Sequence, residues 1–227
     1  MISVTTPNMS LLNRFALSLI AVVLTILVVP GAQADDSLAG DELADFSLEE
    51  LLNTEITTLS RKAESLTGAP AAVHVITRSD IRRSGARSVP ELLRMVPGMQ
   101  VAQIDGNKWA VTARGANGRF APRLLVLMDG RTLYNPMLSG VQWDIQDTDI
   151  SAIERIEVIR GPGATMWGSN AVNGIVNIIT KHAADTQGGK IAVVGGQQVY
   201  ETELRYGAES GDSAFRLFGK FHDREGN

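Results

Sequence analysis

The chain contains no cysteine, which excludes a disulfide framework, a thiolate metal site and a cysteine nucleophile. Its three histidines, His74, His182 and His222, are too few and too scattered for a histidine metal cluster or a catalytic triad. The Walker spacing, a complete Gly-x-Gly-x-x-Gly pattern and a Gly-x-Ser-x-Gly elbow are all missing, so no phosphate loop, dinucleotide site or hydrolase nucleophile is indicated. No cofactor and no enzymatic chemistry are expected. Asp144, Asp147 and Asp149 invite a calcium loop. An EF-hand starting at Asp144 needs glycine at 149 and glutamate at 155, where Asp149 and Arg155 stand, so a solvated loop is expected. There is no basic excess either. The formal charge is −4, with no concentrated basic face for nucleic acid. No apolar run reaches the length of a helical membrane span.

What is present begins with a targeting pattern. Arg14 precedes an apolar run from Phe15 to Val29, then Pro30-Gly31 and Ala32-Gln33-Ala34. This is the n-region, h-region and small-x-small cleavage site of a secretory signal peptide, so residues 1–34 are expected to be removed. An uncleaved anchor is the weaker alternative, and Met1 or Met9 can serve as the start. Asp35 to Asp45 is acidic and rich in small residues. Ser47-Leu48-Glu49-Glu50 has the form of a capping box. Glu55, Ile56, Thr57, Thr58, Leu59 and Ser60 then form an alternating β-branched stretch, which on residue pattern alone is an edge strand or extended linker.

Further on, elements follow in quick succession. Ala71–Thr77 is a predicted strand, with Ser79-Asp80 capping a turn of helix after it. Ser88 caps a predicted helix running to Val96, with Pro90 in its first turn, and Pro97-Gly98 ends it. Trp109–Arg114 and Leu124–Met128 are predicted strands, the second apolar throughout as a central strand is. They are expected to pair antiparallel. That places Gly115–Pro122 at one end of the domain, and Gln103–Lys108 with Arg131–Trp143 at the other. Asp129-Gly130 is a turn.

The most informative stretch is Ile153–Lys181, IERIEVIRGPGATMWGSNAVNGIVNIITK. Strand residues lead to Gly161-Pro162-Gly163, where proline removes a donor and glycine permits φ > 0. A polar turn region follows, then an apolar strand closed by Thr180-Lys181. By pattern alone a buried β-α-β corner would look like this. After Lys181 the pattern changes to alternating segments, Lys190–Val194, Tyr200–Ala208 and Ala214–His222. Tyr200, Thr202, Leu204 and Tyr206 point one way, and Glu201, Glu203 and Arg205 the other. Lipid-facing and lumen-facing positions alternate in this way in outer-membrane strands, and soluble hairpins can show the same alternation.

The residues Glu154-Arg155-Ile156-Glu157-Val158, Arg160-Gly161-Pro162, Trp167-Gly168, Gly174 and Asn177-Ile178-Ile179-Thr180-Lys181 stand in the order found at the end of the plug domain of TonB-dependent outer-membrane receptors. ELLRMVPGMQV, VTARG and RLLVLMDGRTL also resemble that family. The resemblance implies an α+β plug domain, a small mixed β-sheet with short helices, over residues 63–184. An energy-coupling segment at 35–62 precedes it, and the first antiparallel strands of a transmembrane β-barrel follow at 185–227. Plugged barrels have about 22 strands and need ~220 residues at about 10 per strand. Only 38 residues run from Lys190 onward, so a truncated or partial chain is expected.

By resemblance, Glu55–Ser60 is a TonB box that adds as a strand to the periplasmic energy transducer TonB. Asn107, Lys108, Tyr134, Asn135, Gln142 and Trp143 belong to the outward plug loops that contact a small-molecule metal chelate, with Tyr134 and Trp143 also readable as packing aromatics. Arg114 and Arg160 pair with barrel glutamates, the bland alternative being solvent or nearby acids such as Glu154 and Glu157. The implied function is outer-membrane transport of a scarce chelated nutrient, a ferric siderophore first and cobalamin or haem otherwise, with lipid around the barrel. A periplasmic binding or signalling module that uses the plug fold without a barrel is the alternative.

Overall fold

The computed structural model describes residues 55–56, 64–65, 72–115, 117–161, 167–168, 170–196 and 199–224. The signal-type segment, the Ser47 capping box and Thr57–Ser60 lie outside the described residues. In chain order, β1 (Glu55–Ile56) and β2 (Glu64–Ser65) form a short antiparallel pair. Then come β3 (Ala72–Ile76), α1 (Arg78–Ser84), α2 (Val89–Leu93), β4 (Met99–Gln103), β5 (Trp109–Ala113) and β6 (Leu124–Met128). They are followed by β7 (Arg131–Thr132), β8 (Tyr134–Asn135), β9 (Gly140–Val141), β10 (Ile153–Arg160) and β11 (Gly174–Thr180). The last three strands are β12 (Gly188–Gly195), β13 (Val199–Ser210) and β14 (Ser213–Arg224).

The central sheet has the order β3-β10-β11-β6-β7. β10 runs antiparallel to both β3 and β11, and β11 runs parallel to β6. The expected β-α-β corner is therefore corrected. β10 and β11 are direct antiparallel neighbours, with Ile156 opposite Ile178 and Val158 opposite Val176. The expected pairing of 109–114 with 124–128 is also corrected. β5 pairs with β4, and β6 with β11 and β7. The reason lies in burial. β6 is apolar on both faces because it is an inner strand beside a parallel partner. β5 is buried at all five positions, since its alternate residues Ala110 and Thr112 are small enough to be covered too.

The main core gathers Leu92, Leu93, Val96, Trp109, Val111, Leu124, Val126, Trp143, Ile156, Val158, Val176 and Ile178 on one face of the central sheet. A smaller cluster of Leu125, Leu127, Ile159, Ala171 and Ile175 covers the other face. The cap of α1 is Thr77 rather than Ser79. The Thr77 hydroxyl accepts from the Asp80 amide, and the Asp80 carboxylate accepts from the Thr77 amide at 3.0 Å, a reciprocal capping box. α2 ends at Leu93, earlier than Val96. Ser88 stands at its N-cap without a side-chain cap bond, and Glu91 instead accepts from the Arg87 amide at 2.8 Å. The Asp129-Gly130 turn is present, with φ of 48° and 78°, the doubly left-handed form that suits a two-residue hairpin. The Asp129 carboxylate accepts from Thr180 N–H at 2.8 Å and its hydroxyl at 2.9 Å, which ties this hairpin to the end of β11.

The remaining sheet, β12-β13-β14, is an antiparallel meander. β13 and β14 are 12 residues each and turn through Gly211-Asp212. Gly207 lies so close to the Thr186 carbonyl that a Cβ there would overlap it. Arg216 donates to Lys181 O and Thr186 Oγ1, each at 3.2 Å, and fixes this sheet to the chain leaving β11.

Candidate functional site

Residues 131–146 form a cleft of about 280 Å³, lined among others by Arg131, Tyr134, Asn135, Pro136, Gln142 and Ile145. The β8–β9 hairpin builds it. Asn135 Nδ2 donates to Gln142 Oε1 at 3.0 Å across the hairpin, and Asn135 Oδ1 accepts from the Met137 amide at 2.9 Å. The tip is thereby ordered by hydrogen bonds while Met137 stays 92% exposed. Three of the outward-loop residues named from the sequence, Tyr134, Asn135 and Gln142, thus meet at one cleft.

Trp143 does not join them. It is buried in the main core, so its packing role is the one the structure gives. Asn107 and Lys108 are not among the lining residues. Lys108 closes a turn with Asp105 at 2.7 Å, and Asn107 is exposed beside it. The hydrogen bond from Lys108, with the Gly106 amide, holds the Asp105 carboxyl below its ordinary range. The expected separation of loops fails as well. Arg119 meets Asp144 at 3.3 Å, and Gly140 packs on Phe120 so closely that a Cβ would fall 2.9 Å from the Phe120 Cα. The 117–120 loop therefore lies against the 140–144 segment. β5 belongs to a different sheet from β6, so an antiparallel β5–β6 ladder does not constrain that loop.

Arg114 follows β5 with φ of 50°, a left-handed conformation that a bulky non-glycine residue rarely adopts. Arg160 ends β10. Its Nη1 donates to Pro97 O at 2.6 Å, while its buried Nε has no hydrogen-bond partner among the described residues. The Arg114 guanidinium reaches Gly161, directly after Arg160, with its Nη1 3.7 Å from where a Gly161 Cβ would stand. The two arginines are thus close together, and among the described residues neither has a carboxylate within 4.0 Å. Glu157 is not their acceptor. It is fully buried and takes Arg155 Nε at 2.8 Å. Of Glu55–Ser60, only Glu55–Ile56 is described, extended and paired with Glu64–Ser65.

The sequence reasoning missed a second polar concentration. Lys220, with 5% of its side chain exposed, sits 3.3 Å from Asp147, 3.3 Å from Glu201 and 3.5 Å from Glu203, and donates to Arg87 O at 3.1 Å. Lys190 lies 3.6 Å from Asp149 and 3.9 Å from Glu203, and donates to Ser151 Oγ at 2.8 Å. Arg205 lies 3.7 Å from Asp149. The solvated-loop expectation for these aspartates is corrected at Asp149, which is 3% exposed. Asp147 and Asp149 face cations of the β12–β14 sheet, and Asp144 faces Arg119. The aspartate spacing was visible, but the cations that Asp147 and Asp149 meet lie well downstream, the farthest of them, Lys220, 73 residues from Asp147.

The β12–β14 sheet is inverted relative to a water-soluble one. Ile191, Val193, Tyr200, Leu204, Tyr206, Phe215, Leu217 and Phe221 are exposed, while Glu201 is buried and Glu203 and Arg205 nearly so. The register puts Ile191 beside Leu204, and Thr202 between Val193 and Phe221, in one continuous outward face. Transmembrane barrel strands carry this arrangement, apolar outside and polar inside.

Comparison with known proteins follows the same division. Residues 65–175 match the TonB-dependent Receptor Plug Domain family. The vitamin B12 transporter BtuB of Vibrio cholerae is 31% identical over 160 residues, which cover 70% of this chain and 26% of the relative. BtuB of Vibrio vulnificus is 29% identical over 179 residues, covering 77% and 28%. The chain thus spans about a quarter of the length of the curated relatives it matches. In fold it is similar to FpvA of P. aeruginosa, solved with a bound pyoverdine–iron complex, with a TM-score of 0.60 at 20% identity over 78% of this chain and 24% of that one. It is also similar to the alcaligin outer-membrane receptor FauA of Bordetella pertussis, with a TM-score of 0.56 at 23% identity over 81% and 32%. With the mixed sheet, the Ile153–Lys181 motif and these matches in agreement, the chain belongs to the TonB-dependent receptor family and carries its plug domain.

Proposed function

We propose that this chain is the plug-bearing part of an outer-membrane active transporter for a bulky metal chelate. The observation that carries the proposal is the junction of a plug fold to a sheet with its apolar face outward and its charges inward. A periplasmic module without a barrel would leave that apolar face in water, where a patch of this size is unfavourable. β12, β13 and β14 are then the first strands of the barrel wall, and lipid covers their outer face.

On this reading the cleft at Tyr134, Asn135 and Gln142 faces the incoming ligand, with Asn107 and Lys108 on neighbouring outward loops. Glu55–Ser60 couples the plug to TonB by strand addition. Arg114 and Arg160, clustered without carboxylates among the described residues, take bidentate acidic partners from further wall strands and lock the plug's orientation. Replacing both by leucine in the full receptor then raises passive leakage of small solutes. For the cargo, a ferric siderophore and cobalamin are the two candidates. The sequence relatives named as vitamin B12 transporters favour cobalamin.

The test is uptake by cells lacking the gene and complemented with the full-length receptor. Energy-dependent uptake of labelled cyanocobalamin or of a ferric siderophore, lost with Ile56→Pro at unchanged receptor abundance, supports the proposal. Uptake of neither by a receptor that reaches the outer membrane overturns it.

A further inference from the structure

We propose that Asp147, Asp149 and Ser151 of the plug and Lys190, Arg205 and Lys220 of β12–β14 form a self-contained latch, which holds the plug to the first wall strands without any residue from the rest of a barrel. The proposal rests on the wall assignment of β12–β14 made above. Its contacts are separate from those of Arg114 and Arg160, and its ion pairs are made within this chain.

The geometry sets what kind of latch this is. The plug supplies two carboxylates and the Ser151 hydroxyl, and the wall supplies three cations and two further carboxylates, Glu201 and Glu203. Four acids therefore meet three bases. Withdrawing the plug segment leaves the wall with one net positive charge, and the segment with two negative ones. The ion pairs span 3.3 to 3.9 Å, beyond the range of a short charge-assisted hydrogen bond. Asp149 Oδ2 and Arg205 Nε, both buried, have no hydrogen-bond partner among the described residues. The seam is thus held by charge attraction around a buried centre at Asp149, Glu201 and Lys220, together with hydrogen bonds from Lys190 to Ser151 Oγ and from Lys220 to Arg87 O and Asp147 Oδ1.

Such a seam is strong while closed, because separation of a single pair leaves buried charges uncompensated. It also fails all at once, because its members are shared: Lys190 and Lys220 each serve more than one acid, and Asp149 serves both Lys190 and Arg205. Lys220 is the pivot. It touches Asp147 and the Arg87 carbonyl on the plug side, and Glu201 and Glu203 on its own side. A cavity of about 190 Å³ lies along this seam, lined by Ile81, Ala86, Arg87, Lys190 and Ala192 among others. The apposed surfaces are therefore bridged at the ion pairs rather than packed throughout, as a parting surface needs to be.

The experiment uses this chain in detergent micelles. It has no native cysteine, so Ala86→Cys with Ala192→Cys, one from each side of the cavity, supplies the only thiols for a short bismaleimide cross-linker. Cross-linking is expected to be efficient in that background. It should fall about tenfold with Lys220→Met, and comparably with Asp147→Asn plus Asp149→Asn, with little further loss when the changes are combined. Lys220→Arg, which keeps the charge, should retain most of it. Emission from the buried Trp109 and Trp143 reports whether the plug stays folded. Where Lys220→Met disturbs that signal, Asp147→Asn alone is the measured variant, since Asp147 is partly exposed. Unchanged cross-linking in the charge-removing variants, or equal loss with Lys220→Arg, overturns the latch. Quenching of a fluorophore at Leu217→Cys by a lipid-phase quencher tests the wall assignment separately. Loss of that quenching with intact cross-linking removes the wall and keeps the contact.

Discussion

The two sheets of this molecule are built on opposite rules. In the central sheet, Ile156, Val158, Val176 and Ile178 face a covered core and have almost no exposed surface. In the β12–β14 sheet, Leu217 and Phe221 are more than 60% exposed, while Glu201 and Lys220 are nearly fully buried. Both are strand sequences, so the tendency to form strands does not separate them. What separates them is the direction in which the apolar parity points, and that direction names the solvent each face is meant for. On the proposed reading, the second sheet turns its apolar face to lipid.

The largest expected effect tests that division directly. Ile156→Ala removes a fully buried side chain from the core and should cost about 2–5 kcal/mol. Leu217→Ala, on the outward face, should change stability in detergent by less than about 0.5 kcal/mol. Leu217→Arg should hardly affect the plug but should oppose membrane insertion by about 2–4 kcal/mol if the site lies near the bilayer centre. Urea unfolding followed by tryptophan emission, with liposome partitioning for the arginine variant, gives all three numbers. Equal costs for Ile156→Ala and Leu217→Ala would mean that the outward face is packed, and the contrast would collapse.

Next comes a deep charge inside the central sheet. Glu157 is fully buried and bonded to Arg155, whose side chain is 26% exposed. Arg155→Leu should cost about 2–3 kcal/mol, somewhat below the value for a fully buried pair because Arg155 still meets water. Changing both residues to leucine should recover much of that loss. A smaller effect belongs to the α1 capping box. Thr77→Ala removes both the acceptor for the Asp80 amide and a donor to the Asp80 carboxylate, and should cost about 1 kcal/mol. Ser79→Ala, by contrast, should cost less, although Ser79 is the cap the sequence pattern suggests.

The elements were legible where the signal is local. Asp-Gly at 129–130, the apolar run at 124–128 and the parity of Tyr200–Tyr206 each predict a turn or strand within a few residues of its place. Pairing was less legible. β5 and β6 read as neighbours because they are adjacent in sequence, yet the partner of β6 is β11, about fifty residues on, and nothing local encodes that choice. The candidate site shows the same limit. Tyr134, Asn135 and Gln142 fall on one hairpin, so a local pattern brings them together. The Asp147–Lys220 seam joins two ordinary-looking charges 73 residues apart, and each by itself reads as a solvated side chain. Trp143 was ambiguous because an aromatic residue beside a loop suits a core and a binding surface equally until the fold turns it inward.

The smallest expected effect is a titration, and it sets a lone plug charge against the shared charges of the seam. His74 lies in β3 opposite Val158, half-buried. Burial, and then the positive charge of Arg160, push its pKa below the ordinary value, with Asp80 opposing in part. The unfolded chain therefore takes up a proton on His74 at a higher pH than the folded chain does. Stability is unaffected by His74 well above pH 6.5 and falls as the pH drops through that value, because the unfolded state then binds more protons. Asp80 does not confuse this window. Burial favours a higher value there, but hydrogen bonds from Thr77 and Arg83 outweigh it and hold the carboxyl below its ordinary range, so its contribution fades only in stronger acid. The expected result is a urea midpoint that drops between pH 7.5 and pH 5.5 in the parent chain and drops less in His74→Gln. Arg160→Leu should narrow the drop as well, by removing the charge that opposes protonation. Parallel pH profiles for the parent and His74→Gln would show that His74 titrates alike in both states and that Arg160 lies outside its effective reach.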